Sequence, residues 1–293
     1  MIEAALARGF RIVRRIGQGS LAEVYQAEQV SQGNRPVVLR VFRWSVIGRY
    51  ERPSAIVPRF LNELGRPGRI QHPNVIAVLE PGQFPDTRCY LATEYVPGET
   101  LRQVLKRRGA LPVAECAEIL RQVACGLNAG HALGFVHGGI KPENILISRS
   151  EEGGILVKVL DFSLHEMWDL IPISAIANPP DMMLYRSVDE FTTGRVGVWS
   201  DIYVMGLVAY EMVTGSAPYP DRHGVITRIV KHRGEDAPPF RVWAPGLTVP
   251  PGLEAVVLRS LSWEQDRRQA SALEFANDFC AAASVEPAAQ TSA

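Results

Sequence analysis

Apolar and polar positions alternate with a two-residue period through the first third of the chain, then recur at helical spacing through most of the rest. The alternation predicts strands over Phe10–Ile16, Glu23–Glu28 and Pro36–Phe42, and again over Val75–Leu79 and Arg88–Glu94. Gly17-Gln-Gly-Ser20 predicts a hairpin turn between the first two strands, and a helical stretch surrounds Arg59–Leu64. The Val-Pro-Gly run at 96–98 marks a boundary. Beyond it Pro112 opens a helix whose apolar stripe is Val113, Ala117, Leu120, Val123, Ala124 and Leu127. Two short strands follow, Asn144–Ile147 and Leu156–Leu160, then a proline- and methionine-rich loop from about Pro172 to Leu184. Helices over Ser200–Thr214 and Ala270–Ala282 close the chain, with a small polar tail after Ser284. The pattern as a whole is a small β-rich lobe followed by a larger helical one.

Composition narrows the function classes. With 293 residues, 46% of them hydrophobic, the chain can bury a substantial core. Lysine plus arginine equals aspartate plus glutamate at 31 each, so no net field draws the protein to nucleic acid or an acidic membrane. Cys89, Cys116, Cys125 and Cys280 show no metal-type spacing and read as thiols in a reducing compartment. The apolar run Ile202–Val213 is too short for a membrane span, and Glu211 breaks it. A soluble, cytoplasmic protein is expected.

The chemistry-bearing segments come in a fixed order. Ile16-Gly-Gln-Gly-Ser-Leu-Ala-Glu-Val24 has the outline of a phosphate-covering hairpin, because glycines let backbone N–H groups approach phosphate oxygens. Downstream come His137-Gly-Gly-Ile-Lys-Pro-Glu-Asn144 and Val159-Leu-Asp-Phe-Ser163. Phe60-Leu-Asn-Glu63, nine residues before His72-Pro-Asn74, Trp199-Ser-Asp-Ile-Tyr-Val-Met-Gly206 and Gln265-Asp-Arg267 complete the set. In that order these blocks resemble the bacterial family of eukaryotic-like Ser/Thr protein kinases, from about Arg8 to Ala283. The resemblance implies an α+β, bilobal protein kinase fold. Its small lobe would cover 8–96, its large lobe 97–283, and 284–293 would be a tail. It further implies a nucleotide site made by Gly17, Gly19, Val24, Val38, Arg40, Glu63, Thr93, Glu94, Val96 and Leu146, with Thr93 behind the adenine. Asn144 and Asp161 would be the ligands of Mg²⁺.

Residue by residue, the chain departs from the family. Arg40 stands where a lysine holds the phosphates and pairs with Glu63. Its planar fork keeps the charge but aims its donors differently. Val38 narrows the base pocket. Gly139 replaces the aspartate that accepts the substrate proton, and Gly138 replaces the arginine that receives an activating phosphate. Of the catalytic group only Lys141 remains. Ser163 follows Phe162 where a glycine is usual. Ser174 is the clearest further phospho-acceptor, and Met182-Met183 occupies the substrate-steadying region. Asp189 is expected to pair with Arg267. Pro67 and Gly68 fall where the helix around Glu63 should continue, so that helix either ends early or kinks.

The leading expectation is a pseudokinase, a kinase-fold module that acts on a protein partner. ATP with Mg²⁺, or no cofactor at all, are both left open. The alternative is a slow or unconventional ATP-dependent Ser/Thr kinase. A small-molecule phosphotransferase fits the motifs least.

Overall fold

A computed structural model describes residues 9–18, 22–42, 53–84, 88–150, 152–162, 184–219 and 237–284. Gly19, Ser163, Ser174, Met182, Met183 and the tail lie outside this set, as does all but Leu184 of the expected loop. The chain divides into two compact units, with the boundary between Pro97 and Gly98.

In the first unit, β1 (Phe10–Gln18), β2 (Ala22–Gln29), β3 (Arg35–Phe42), β4 (Val78–Gln83) and β5 (Cys89–Glu94) form one antiparallel sheet in the order β1-β2-β3-β5-β4. Alternation decides which side chains go where, since residues directly opposite in neighbouring strands share a face. One face buries Tyr25, Ala27, Val37, Leu39, Val41 and Ala92 together with Phe10 and Phe84. The other carries Ala22, Phe42 and Leu91, which pack against α1 (Pro53–Gly65). The helix offers Val57, Phe60, Leu61 and Leu64, a stripe at the spacing a helix needs to bury one side. Phe60 meets Phe42 edge to face at 5.1 Å, and burying such a ring stabilises by roughly 1.5–3 kcal/mol.

Two local features refine the sequence expectation and one departs from it. The helix begins at Pro53 and tolerates Pro58 inside it, which removes one hydrogen-bond donor from the ladder. It then ends at Gly65, and Arg66–Arg69 form a single 3₁₀ turn around the buried Pro67, so the early-ending alternative holds. The fourth strand starts at Val78, three residues later than expected, because Asn74 and Val75 are held in a turn by His72.

The second unit has a three-stranded sheet, β6 (Glu99–Thr100), β7 (Ile145–Arg149) and β8 (Ile155–Val159). Among the described residues its helices are α2 (Leu101–Arg108), α3 (Val113–His131), α4 (Val188–Thr193), α5 (Val198–Thr214), α6 (Leu253–Ser260) and α7 (Ala272–Ala283). The short helices α2 and α6 lack the long periodic stripe that announces α3. Every residue of α5 from Ser200 to Thr214 is buried, as expected of a helix apolar on all sides. Gln122 of α3 serves the edge of β8: its amide donates to the Ile155 carbonyl and accepts from the Val157 N–H, both at 2.8 Å. All four cysteines are free, and burial pushes the Cys89 thiol up to about 11. No helix among the described residues is long and apolar enough to cross a membrane.

Candidate functional site

Five of the small-unit residues singled out by sequence gather on one sheet face. Gly17 lies opposite Val24, Val24 opposite Arg40, and Val38 opposite Thr93, so all five share a side. It is the side that carries α1, since Phe42 lies two residues beyond Arg40 on the same strand. Unlike the residues under α1, Val24, Val38, Arg40 and Thr93 are only half-buried. A methyl group at Gly17 would sit 3.6 Å from the Val24 Cβ, in ordinary contact. Glu63, on the last turn of α1, accepts from Arg66 at 2.6 Å. Glu94 is on the opposite sheet face, where its carboxylate accepts from the Ala77 N–H at 2.9 Å. Its side chain therefore secures the strand end. Val96 is half-buried in the extended run that follows β5.

In the large unit the loop 137–144 is built around Asp201, buried near the start of α5. Its carboxylate accepts from the backbone N–H groups of His137 and Gly138 and from His131 Nε2, each at 2.8 Å. Burial works to raise the pKa of Asp201. The His131 hydrogen bond, the neighbouring His137 and the Gly138 amide outweigh it and hold the carboxyl below its ordinary range. The His137 ring reaches the Leu160 carbonyl through Nε2 at 2.7 Å, and its Nδ1 accepts from the Gly139 N–H at 3.2 Å. The ring thus bridges the Leu160 carbonyl and the Gly139 amide, tying the two loops together.

The two expected metal ligands are brought onto adjoining loops. The Asn144 side-chain N–H donates to the Gly139 carbonyl at 2.9 Å, and the Asn144 carbonyl accepts from the Leu160 N–H at 2.8 Å. Asp161 follows directly, with a left-handed φ of 65° that is uncommon for any residue but glycine. Asp161 supplies a carboxylate and Asn144 an amide oxygen, which suit Mg²⁺ when phosphate oxygens and water complete its shell. Lys141 is half-buried two residues beyond Gly139, and Leu146 lies on β7 opposite Lys158 and Thr100. At the position of the missing aspartate, Gly139 presents only backbone.

Residues 10–239 match the model of the protein kinase domain. The chain belongs to the protein kinase family. Among bacterial Ser/Thr kinases it is similar to pkn3 of Myxococcus xanthus, with 31% identity across 92% of this chain and 49% of the relative. It is also similar to PrkC of Bacillus subtilis, with 27% identity across 95% of this chain and 41% of that protein. The chain thus spans less than half the length of these relatives. Among solved structures, the PknI kinase domain of Mycobacterium tuberculosis superimposes with a TM-score of 0.69 at 22% identity, over 94% of this chain and 96% of that one. The bilobal α+β kinase fold expected from the motifs is therefore the fold of this chain.

One pairing expected for this kinase-family chain is corrected. Asp189 binds Arg268, at 2.7 Å, and not Arg267. The 3₁₀ turn Gln265–Arg267 leaves Arg267 at the surface beside Glu264, and the extended backbone at Arg268 carries the next guanidinium inward. There it also donates to the carbonyls of Trp199, Ser262 and Trp263, and Gln265 donates to the second oxygen of Asp189. His131 also escaped the sequence reading, since nothing local links it to an aspartate seventy residues on.

Phe162 stacks near His137, with ring centroids 4.8 Å apart, over the last turns of α3. A methyl group at Gly130 would lie 2.4 Å from the Phe162 ring, so the close approach requires glycine. Gly130→Ala is expected to destabilise by about 1–3 kcal/mol in urea denaturation, despite the better helix propensity of alanine. An unchanged midpoint would show that Phe162 can move aside freely.

Proposed function

We propose that this member of the protein kinase family is a binding or regulatory module that performs little or no phosphoryl transfer and acts on a protein partner in the cytoplasm. The observation that carries the reading is Gly139. The position that should offer a general base has no side chain, and its N–H and carbonyl are used by His137 and Asn144. Base help and positioning of this kind contribute roughly 10²–10⁴-fold. Arg40 in place of the phosphate-holding lysine supports the same reading, because its fork cannot reproduce the point charge of an ammonium. The kinase-like unit is taken to cover 8–283. Asp161 and Asn144 would hold Mg²⁺, which supplies charge neutralisation to a bound nucleotide. The residues that the family resemblance implies for that nucleotide are Gly17, Gly19, Val24, Val38, Arg40, Glu63, Thr93, Glu94, Val96 and Leu146.

A second reading, a slow or unconventional Ser/Thr kinase, has its own support. The relatives are named Ser/Thr kinases, which favours this enzymatic reading on family grounds. Lys141, Asn144 and Asp161 are also retained. In a loose phosphoryl-transfer transition state charge stabilisation matters more than the base.

Two measurements separate the readings. A thermal-shift titration with ATP, with and without Mg²⁺ or Mn²⁺, reads nucleotide binding; a ligand at a hundred times its Kd adds about 2.7 kcal/mol to apparent stability. A radiolabelled-ATP assay of the purified protein is expected to show no transfer above background. Robust metal-dependent autophosphorylation that Asp161→Ala abolishes would establish the enzyme instead.

A further inference from the structure

Away from Gly139, one guanidinium joins three parts of the large unit that are remote in sequence. Arg102, in the first turn of α2, donates from Nε to Glu143 at 2.8 Å, from Nη1 to Glu211 at 2.6 Å and from Nη2 to the Tyr185 hydroxyl at 2.7 Å. The Tyr185 hydroxyl in turn donates to the second oxygen of Glu211, and the guanidinium carbon lies 5.5 Å from the centre of the Tyr185 ring. Burial and the Glu211 carboxylate push the Tyr185 hydroxyl well above its ordinary pKa, so it stays a neutral donor. Two carboxylates thus share one cation.

The three arms differ in strength. Glu211 is fixed in the buried α5, with only 10% of its side chain exposed. Glu143 is 38% exposed, and its second oxygen is buried without a hydrogen-bond partner among the described residues. A buried acceptor left unmade costs about 1–3 kcal/mol, so the Glu143 arm is the one that yields first. Its position matters, because Glu143 sits in the 3₁₀ turn Pro142–Asn144, next to the candidate metal ligand Asn144. Tyr185 lies two residues before Ser187, the cap of α4. The planar fork of arginine can serve three acceptors in fixed directions, which the single ammonium of lysine cannot.

We propose that Arg102 is a positioning residue, a latch that couples the loop turn carrying Asn144 to the chain at Tyr185, so that the two segments are held or released together. Loosening either end weakens the shared fork and is felt at the other end. Coupling of this kind is reciprocal, and at its usual strength it corresponds to about 5–150-fold. The inference holds for a catalytic and for a non-catalytic chain alike, and its test requires no activity.

The test perturbs one end and reads the other by hydrogen exchange of the whole protein. Glu143→Gln is expected to speed exchange about tenfold at the Glu190 and Phe191 amides, which hydrogen-bond to Ser187. Tyr185→Phe is expected to do the same at the Asn144 and Leu160 amides. Arg102→Lys should loosen both ends, and methylguanidinium added to Arg102→Gly should restore both with one concentration dependence. Far-end exchange unchanged in both single variants would overturn the latch. So would uniform acceleration through α3 and α5, which marks global loosening, or full protection in Arg102→Lys.

Discussion

Asp201→Ala is expected to destabilise the large unit by about 3–5 kcal/mol, the range for removing one partner from a buried charged cluster. The Asp201 carboxylate is the acceptor for His137 N–H, Gly138 N–H and His131 Nε2, and alanine would leave all three without it. Total stabilities of domains run about 5–15 kcal/mol, so such a loss leaves a marginal protein. Asp201→Asn, which keeps the shape and one acceptor oxygen, should lose less. The measurement is urea denaturation followed by circular dichroism, and a loss under about 1 kcal/mol for alanine would show that the loop 137–144 is held by other means. The same carboxylate predicts an acid limit. Because its folded pKa is lowered, its contribution is fully present above the unfolded value of about 3.9 and is lost as the pH falls toward the folded value. Wild-type stability from this source should therefore be flat from neutrality to about pH 4 and fall below it, while Asp201→Asn should lack that fall.

Gly139→Asp combined with Arg40→Lys is expected to gain measurable ATP turnover over either single variant, yet to stay more than tenfold below the roughly 1–100 s⁻¹ of ordinary kinases. The loop has room for the first side-chain atom: a Cβ at Gly139 would meet nothing nearer than His137 Nδ1 at 3.8 Å. The expected shortfall has other causes. Val38 crowds the face it shares with Thr93, and the helix carrying Glu63 ends at Gly65 with Pro58 inside it. Peptide phosphorylation and ATP hydrolysis by wild type, both singles and the double, at matched concentration and equal foldedness, decide the matter. A double variant within tenfold of an ordinary kinase would show that two substitutions alone account for the proposed inactivity.

These two expectations draw on different kinds of information. The room at Gly139 is a property of the folded loop, whereas the missing carboxylate is legible in His137-Gly-Gly itself. A similar division runs through the candidate site. The family resemblance points to Val24, Val38, Arg40 and Thr93, and strand register puts them on one face. The side chain of Glu94 accepts from the Ala77 backbone, a contact that no motif announces.

The sequence by itself determined most of the strands and the long helices, because period-two and period-3.6 patterns are local and every residue in them votes for the same element; the start of β4 and the two-residue β6 carry too little pattern to be read that way. It also determined the kinase family, through blocks whose order survives substitution at individual catalytic positions. Only the tertiary structure decided which charges meet. The three partners of Arg102 lie 41, 109 and 83 residues away, and no periodicity carries information over such separations. Arg267 and Arg268 are neighbours with equal claim to Asp189 until the backbone between the 3₁₀ turn and α7 turns one guanidinium inward and leaves the other in water. An ion pair is chosen by where the fold places its ends, and that placement depends on packing throughout the unit.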